Sequence, residues 1–290
     1  MMDPTTVDRL ISGDHVCWAF DDDTEHLTAV ARFVQAGLAR HQKVMYLTGA
    51  APPPTFWDAL SRVGAAPEAQ ADNHQVQINL VSDLPLNLLD TSRLLDHWTH
   101  AITEAHVEGY AGLRVATDMS WAAASLPDLY PLVQYEAQAS RLFADDYATM
   151  VCFYDRRLFS STSLNCIGSA HPGSSEITAG APEAWQPLLR MRRTSDPPGL
   201  ALSGEADLSN RYALAATIAH LPEDVASEAP LVIDLSDLTF ADVGTMRLFV
   251  QVAEASATGL RLVGCSPPLL RMLRLLDVRQ VIQFDDDVSR

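Results

Sequence analysis

Leu231-Val-Ile-Asp-Leu-Ser-Asp-Leu-Thr-Phe-Ala-Asp-Val-Gly-Thr-Met-Arg-Leu-Phe-Val250 is the stretch that decides the fold of the carboxyl-terminal part of the chain. The apolar run from Leu231 to Leu235 is typical of a strand buried on both faces of a parallel sheet. Asp242 follows where a helix would begin, and its carboxylate can accept a hydrogen bond from a free N–H of the first turn. The stretch therefore predicts a strand, a short loop and a capped helix whose start lies at the surface.

This stretch resembles the STAS domain of bacterial anti-sigma-factor antagonists, where a strand ending in Asp-Leu-Ser leads to Phe-x-Asp-Ser-(Ser/Ala)-Gly-Leu. The segments Asp234-Leu-Ser236 and Phe240-Ala-Asp242 match this pattern, and the resemblance extends from about Leu188 to Phe284. The family's phosphorylated Ser is replaced by Val243. The resemblance implies α/β topology and a role in signal transduction, transcription regulation and stress response. It also implies a surface that binds an anti-sigma factor of the serine-kinase type, formed by Asp242, Val243 and Thr245.

Composition limits the class of protein. The chain has 290 residues, enough for two domains, and carries a net charge of −17. This acidity argues against nonspecific binding to nucleic acid, which needs clustered Lys and Arg. No signal peptide or membrane-spanning run is visible, and the cysteines form no Cys-x-x-Cys pair. We therefore expect a cytoplasmic protein that binds neither nucleic acid nor a membrane.

The amino-terminal half alternates predicted strands with helices. The predicted strands cover residues 15–20, 43–48, 75–80, 112–117 and 149–154, and the main helices between them cover about 21–40, 92–107 and 129–143. Such alternation predicts an α/β domain with a mostly parallel sheet. The small and turn residues from Gly168 to Pro182 favour a linker. The resulting domain boundaries are 1–167 and 185–290, with a linker at 168–184.

The first domain resembles the MEDS sensory domain of methanogen and methylotroph regulators. The matching segments, in chain order, are Gly13-Asp-His-Val-Cys17, Gly37 to Val44, Leu113-Arg-Val115 with Met119-Ser-Trp121, Tyr135-Glu136 and Cys152-Phe-Tyr-Asp155. The resemblance implies a RecA-like or KaiC-like core with helices on both faces, which has lost nucleotide hydrolysis and senses a ligand or signal. Consistent with this loss, Phe20 to Glu25 contains neither the Gly nor the Lys of a phosphate-binding loop.

Candidate ligand-binding residues cluster near presumed strand ends. His15 and Cys17 are two residues apart on a predicted strand, so their side chains share a face. They can line a small-molecule pocket, bind a metal or act as a redox pair, and we favour the pocket because no second ligand pair is nearby. Arg114, Asp118, Trp121 and Glu136 are predicted to line the same rim, and the buried Arg114 needs an acidic partner, which Asp118 or Glu136 could provide. The equally open alternative is a structural ion pair with Trp121 in the core. No metal, cofactor or catalytic residue is predicted.

The sequence thus predicts a regulator without catalytic activity, in which the first domain senses a ligand and the second binds an anti-sigma factor. Because Val243 has no hydroxyl, we expect this binding to be independent of phosphorylation at that position. Two alternatives stay open. The chain could be a scaffold subunit of a STAS assembly, or an enzyme with its site near His15, Cys17 and Glu136. Homo-oligomer formation also stays open.

Overall fold

A computed structural model describes residues 4–50, 52–62, 75–83, 91–126, 128–175, 185–224, 230–256, 258–276 and 282–284. In the first domain the strands are β1 (His15–Phe20), β2 (Lys43–Thr48), β3 (Val76–Leu80), β4 (Leu113–Asp118), β5 (Ala148–Asp155) and β6 (Gly173–Ser174). The α-helices are α1 (Asp23–Ala39), α2 (Pro54–Arg62), α3 (Thr91–Val107), α4 (Ser120–Ser125), α5 (Tyr130–Phe143) and α6 (Ser161–Gly168), and 3-10 turns cover Pro4–Arg9 and Val81–Asp83. None of the described helices combines the length and hydropathy that crossing a membrane requires.

The first sheet has the order β3-β2-β4-β5-β1-β6, and its neighbouring strands are parallel. Side chains alternate between its two faces. Along β1, Cys17 and Ala19 join the core under α3 and α5, whereas Val16 and Trp18 join the core under α1 and α2. The predicted parallel α/β architecture with helices on both faces is confirmed.

The second domain contains a smaller mixed sheet in the order β11-β10-β9-β8-β7. Its strands are β7 (Leu189–Ser195), β8 (Pro198–Ala206), β9 (Leu231–Ala241), β10 (Leu260–Val263) and β11 (Ile282–Phe284). Its helices are α7 (Arg211–Ala219), α8 (Leu221–Asp224), α9 (Val243–Ala255) and α10 (Pro267–Leu275). The strand predicted to end at Leu235 continues to Ala241, because β8 pairs with it through two register shifts as far as Ala206. The predicted loop before α9 is therefore mostly strand.

The segment Gly168–Ser175, predicted as the start of the linker, is part of the first domain. Gly168 ends α6, and β6 pairs with β1 in parallel. The small residues allow close packing, since a Cβ added to Gly173 would lie 2.8 Å from the Cα of Pro187. The linker prediction is thus corrected over its first eight residues, and residues 176–184 lie outside the described residues.

Backbone hydrogen bonds connect the two domains. The carbonyl of Ser169 accepts from the N–H of Tyr212 at 3.0 Å, and the carbonyl of Ala144 accepts from the N–H of Arg193 at 2.7 Å. The guanidinium of Arg190 also donates to both carboxylate oxygens of Asp14, at 2.8 and 3.2 Å. Helix α5 and the turn after α6 therefore contact the second domain directly.

Candidate functional site

Four buried side chains meet between the first sheet and α5. We refer to His15, Glu136, Cys152 and His171 as the inner cluster. Their potential ligand atoms all lie within 4.8 Å of one another. Nε2 of His15 and Nε2 of His171 each lie 3.3 Å from Oε2 of Glu136. The Sγ of Cys152 lies 3.5 Å from Nε2 of His15 and 3.6 Å from Oε2 of Glu136, so the cluster is compact.

The inner cluster draws on four separate elements. His15 begins β1, and Cys152 lies on the neighbouring strand β5 with its side chain on the same face of the sheet. Glu136 projects from α5, whose buried face also carries Leu132 and Val133. His171 lies in the turn between α6 and β6. Only the closed fold brings these residues together.

The outer atoms of the cluster are fixed by hydrogen bonds. Nδ1 of His171 lies 3.0 Å from the carbonyl of Ile167, which can only accept, so this nitrogen carries the proton. Nδ1 of His15 lies 3.0 Å from the hydroxyl of Ser140, which in turn reaches backbone carbonyls at 3.2 Å. The hydroxyl of Tyr154 donates to Oε1 of Glu136. The outer nitrogen of each imidazole is therefore engaged, and Nε2 of each ring faces Oε2 of Glu136 inside the cluster.

Burial and mutual charge set the protonation of the cluster. Burial, reinforced by the neighbouring imidazole of His171, lowers the pKa of His15 to about 4, so its ring is neutral at pH 7. Burial alone would raise the pKa of Glu136, but His171 and His15 outweigh it and hold that pKa below its ordinary range. Burial and the charge of Glu136 raise the pKa of Cys152. Without a further cation, the cluster holds a carboxylate beside a thiol.

A second candidate site is the carboxyl-edge cleft, a cavity of about 630 Å³. Its lining includes His26, Tyr46, Thr48, Asp118 and Trp121. Nε2 of His26 and Nε1 of Trp121 are buried and have no hydrogen-bond partner among the residues that the structure describes, and burial lowers the pKa of His26. Open α/β sheets bind ligands at the carboxyl ends of their strands. The cleft therefore has the position and the unpaired polar groups of a small-molecule site.

Arg114 belongs to neither site. Its Nη2 donates to the carbonyl of Val7 at 3.2 Å, and its guanidinium carbon lies 4.1 Å from the ring centre of Phe33 on α1. Burial lowers its pKa to about 9. The prediction that Asp118 or Glu136 is its partner is wrong, because the carbonyls of Val7 and Leu10 and the amide oxygen of Gln42 accept from the guanidinium.

The predicted ligand-binding residues therefore do not lie together at one edge of the sheet. His15 and Glu136 lie in the inner cluster, and Cys17 pairs in register with Cys152 beside it. Asp118 and Trp121 line the carboxyl-edge cleft. The sequence reasoning did not select Cys152 or His171. The side chain of Cys152 lies on the same face of the sheet as that of Cys17, and the strand pattern alone could have predicted this. His171 was missed because its segment was predicted to be a linker.

The start of α9 is the third candidate site. The carboxylate of Asp242 caps the helix by accepting from the N–H of Thr245 at 2.7 Å, as predicted. Val243 is 47% exposed. Thr245 is only 1% exposed, and its hydroxyl lies 3.0 Å from the carbonyl of Ala206. Thr245 is therefore corrected from a partner-binding residue to a buried structural one.

Exposed apolar side chains surround this helix start. We refer to Leu208, Tyr212, Phe240 and Val243 as the α9 surface, since all are exposed. Leu208 and Tyr212 follow β8, which ends at Ala206, whereas Phe240 lies in the last part of β9, where it pairs with β8, and Val243 begins α9. Arg211 donates to Asp242 at 2.6 Å across the two segments. Exposed apolar residues grouped in this way are typical of a protein-binding surface.

The first α/β domain and the smaller domain that carries the α9 surface define a class of signalling protein, in which a sensory domain precedes a STAS-type domain. The chain belongs to the MEDS family, since the model described as the MEthanogen/methylotroph, DcmR Sensory domain matches residues 14–172. The model described as the Mlab, STAS domain matches residues 189–283. Both resemblances stated from the sequence are confirmed. No match was found among curated proteins.

Two solved structures are among those that are similar to this chain. The flagellar accessory protein FlaH from Methanocaldococcus jannaschii is 14% identical with a TM-score of 0.43, covering 67% of this chain and 91% of its own. The KaiC-like protein PH0186 from Pyrococcus horikoshii OT3 is 12% identical with a TM-score of 0.44, covering 60% of this chain and 80% of its own.

Proposed function

We propose that the chain is a non-catalytic regulator whose second domain binds an anti-sigma factor and thereby controls transcription. The partner is of the serine-kinase type. Its binding does not depend on phosphorylation at the usual STAS position. The first domain senses a small ligand and supplies the regulation.

The observation that carries this proposal is the exposed Val243 at the capped start of α9. In the resembled antagonists, phosphate at this position places about −2 charge in the partner interface. Val243 offers an apolar contact instead, as part of the α9 surface. Thr245 is buried and donates its hydroxyl internally, so it does not replace the missing acceptor. The interface is therefore held permanently in its unphosphorylated form.

The carboxyl-edge cleft supports the sensory part of the proposal. Its unpaired ring nitrogens on His26 and Trp121 can donate to or accept from a ligand that carries few polar groups. Across the sheet, α5 and the turn at Ser169 touch α7, next to the α9 surface. A ligand that moves this layer would change the partner surface.

The test is a binding titration of the chain with a serine-kinase-type anti-sigma factor from the same cell. Val243→Asp places a carboxylate where the antagonists carry phosphate, so we expect binding at least tenfold weaker, about 1.4 kcal/mol. Val107→Asp is the matched control, because Val107 is exposed on α3 of the first domain. It should leave binding unchanged. Equal affinity of Val243→Asp and the parent would show that the helix start is not the interface.

Co-purification separates the proposal from its alternatives. Capture of a kinase-type anti-sigma factor supports it, whereas self-assembly alone favours a scaffold subunit. Turnover of a metabolite that is lost in His15→Ala would favour an enzyme. Incubation with a cognate kinase and ATP should leave no stoichiometric phosphate between Ser236 and Thr245 by mass spectrometry.

A further inference from the structure

We propose that the inner cluster binds a single divalent transition-metal ion of the zinc type, with His15, Glu136, Cys152 and His171 as its four ligands. The inference concerns the first domain alone, so it stands whether or not the second domain binds an anti-sigma factor.

Four of the six distances between the ligand atoms match the edges of a tetrahedral site. With zinc bonds of about 2.0–2.1 Å to nitrogen or oxygen and about 2.3 Å to sulfur, tetrahedral edges are about 3.3–3.4 Å between N or O atoms and about 3.5–3.6 Å to sulfur. The observed values are 3.3 Å from Glu136 to each imidazole, and 3.5 and 3.6 Å from Cys152 to His15 and Glu136. All four ligand atoms lie within 4.8 Å of one another, so the remaining two distances, from His171 to His15 and to Cys152, would shorten to tetrahedral values as a metal ion binds.

The inner nitrogens converge on a common centre where a cation fits. The outer nitrogen of His171 donates to Ile167, which leaves its inner Nε2 facing the cluster. Both inner nitrogens face the same oxygen of Glu136. Two nitrogen lone pairs opposite a carboxylate oxygen repel each other unless protons or a metal ion lie between them. A metal ion satisfies all of these acceptors at once.

The charges of the four ligands and a divalent ion also cancel in this buried site. In a metal-bound site the carboxylate of Glu136 and the thiolate of Cys152 would contribute two negative charges, and imidazoles that bind a metal are neutral and would contribute none. A divalent ion therefore leaves the closed site without net charge, which avoids the cost of burying an unpaired ion. Binding would transfer the thiol proton of Cys152 to solvent, as metal binding to cysteine requires.

The surroundings favour zinc over harder cations. Imidazole and thiolate ligands suit zinc and its neighbours, whereas magnesium and calcium prefer oxygen ligands. Ser140 and Ile167 orient the imidazoles, and Tyr154 orients the free oxygen of Glu136. Such outer contacts are the usual support of a metal site. Four protein ligands without an open position are typical of a structural or regulatory site.

The test begins with a Cys166→Ser background, which removes an exposed thiol that could bind metal adventitiously. The protein is unfolded with a chelator and refolded with Co²⁺, because the site is buried and loads during folding. We expect tetrahedral cobalt bands and a thiolate charge-transfer band that saturate at one equivalent and are absent when Zn²⁺ is present together with Co²⁺ during refolding. An intact folded protein that shows no such bands would overturn the assignment.

Two cysteine variants test which thiol is the ligand. Cys152→Ser should abolish the charge-transfer band and weaken Co²⁺ binding at least about tenfold. Cys17→Ser is the matched control, since Cys17 is an equally buried neighbour in register and is not among the four ligands. It should keep the band. Loss of the band in Cys17→Ser alone would refute the assignment.

X-ray absorption can be measured on the zinc-loaded Cys166→Ser protein, which keeps every residue of the inner cluster unchanged. We expect one sulfur and three nitrogen or oxygen neighbours. A shell without sulfur, or with several sulfurs, would place the ion elsewhere and contradict the proposal, even if a cluster variant fails to fold.

Discussion

The inner cluster and the α9 surface are opposite solutions to the problem of building a site. The cluster assembles buried polar groups from β1, α5, β5 and the turn after α6. The α9 surface assembles exposed apolar groups from two short segments beside paired strand ends. One site requires the closed fold to satisfy its polar atoms, whereas the other requires a partner to cover its apolar ones. Burial and polarity, taken together, distinguish a site built from groups of one chain from a surface that binds another protein.

The largest expected effect is on the stability of the first domain. Glu136→Ala removes the acceptor of Tyr154 and the anion between two imidazoles, so we expect a loss of about 3 kcal/mol in free energy of unfolding. Denaturant unfolding in the presence of a chelator, followed by tryptophan fluorescence, measures this loss. The tryptophans report on the first domain, because the buried Trp18 and Trp98 lie in its cores and Trp185, just before β7, packs into one of them.

Glu254→Ala is the matched control for this stability measurement. Glu254 is exposed on α9, and Ala is equally suited to a helix, so the change should stay within about 0.5 kcal/mol. If both variants unfolded at the parent's denaturant concentration, Glu136 would be dispensable and the description of the cluster as a buried polar network would fail.

A smaller effect is expected at the start of α9. Asp242→Ala removes the side-chain cap of the helix, which typically costs about 1 kcal/mol. Ser266→Ala is the control, because Ser266 precedes α10 but makes no side-chain cap hydrogen bond, and this variant should unfold like the parent. Circular dichroism during thermal unfolding measures both. Equal destabilisation by the two substitutions would show that the cap of Asp242 contributes nothing.

The cap also predicts a pH dependence. Burial alone would raise the pKa of Asp242, but the N–H and hydroxyl of Thr245 and the guanidinium of Arg211 hold that pKa below its ordinary value. The stabilisation is therefore complete above the unfolded pKa of about 3.9 and disappears as pH falls through the folded pKa. The stability difference between the parent and Asp242→Ala should shrink as pH is lowered below about 4. A difference that is constant down to pH 2 would contradict this account.

No effect at all is expected from ATP. The carboxylate of Asp22 already accepts from the N–H groups of Thr24 and Glu25, at 2.8 and 2.9 Å, at the helix start that would otherwise receive a phosphate. Calorimetric titration with Mg-ATP should give no saturable heat at millimolar concentration. A low-micromolar isotherm would show that the first domain has kept a nucleotide site.

Most of the fold could be predicted from local patterns. Strands β1 and β2 and the cap at Asp242 follow from apolar runs and from a carboxylate placed before a helix. The end of β9 could not be predicted, because its last residues form a strand only by pairing with β8. Small residues at Gly168–Ser175 look like a linker in sequence, yet they allow β6 to pack closely on β1.

The candidate sites were predicted less completely for the same reason. Asp242 and Val243 are adjacent in sequence, so a local motif finds them. The residues of the inner cluster are separated by up to 156 positions in the sequence, and no local pattern predicts that these distant segments meet. Arg114 shows a further limit, because a buried guanidinium calls for acceptors but its sequence neighbours do not show that backbone carbonyls provide them.

The hydrogen bond from Tyr212 to Ser169 has a consequence for exchanging the domains of this architecture. Boundaries between domains usually fall in exposed linkers that few contacts cross. Here the carbonyls of Ala144 and Ser169 would lose their donors if another effector replaced the second domain, and Asp14 would lose Arg190. A chimaera should therefore keep matched residues on both sides of this seam.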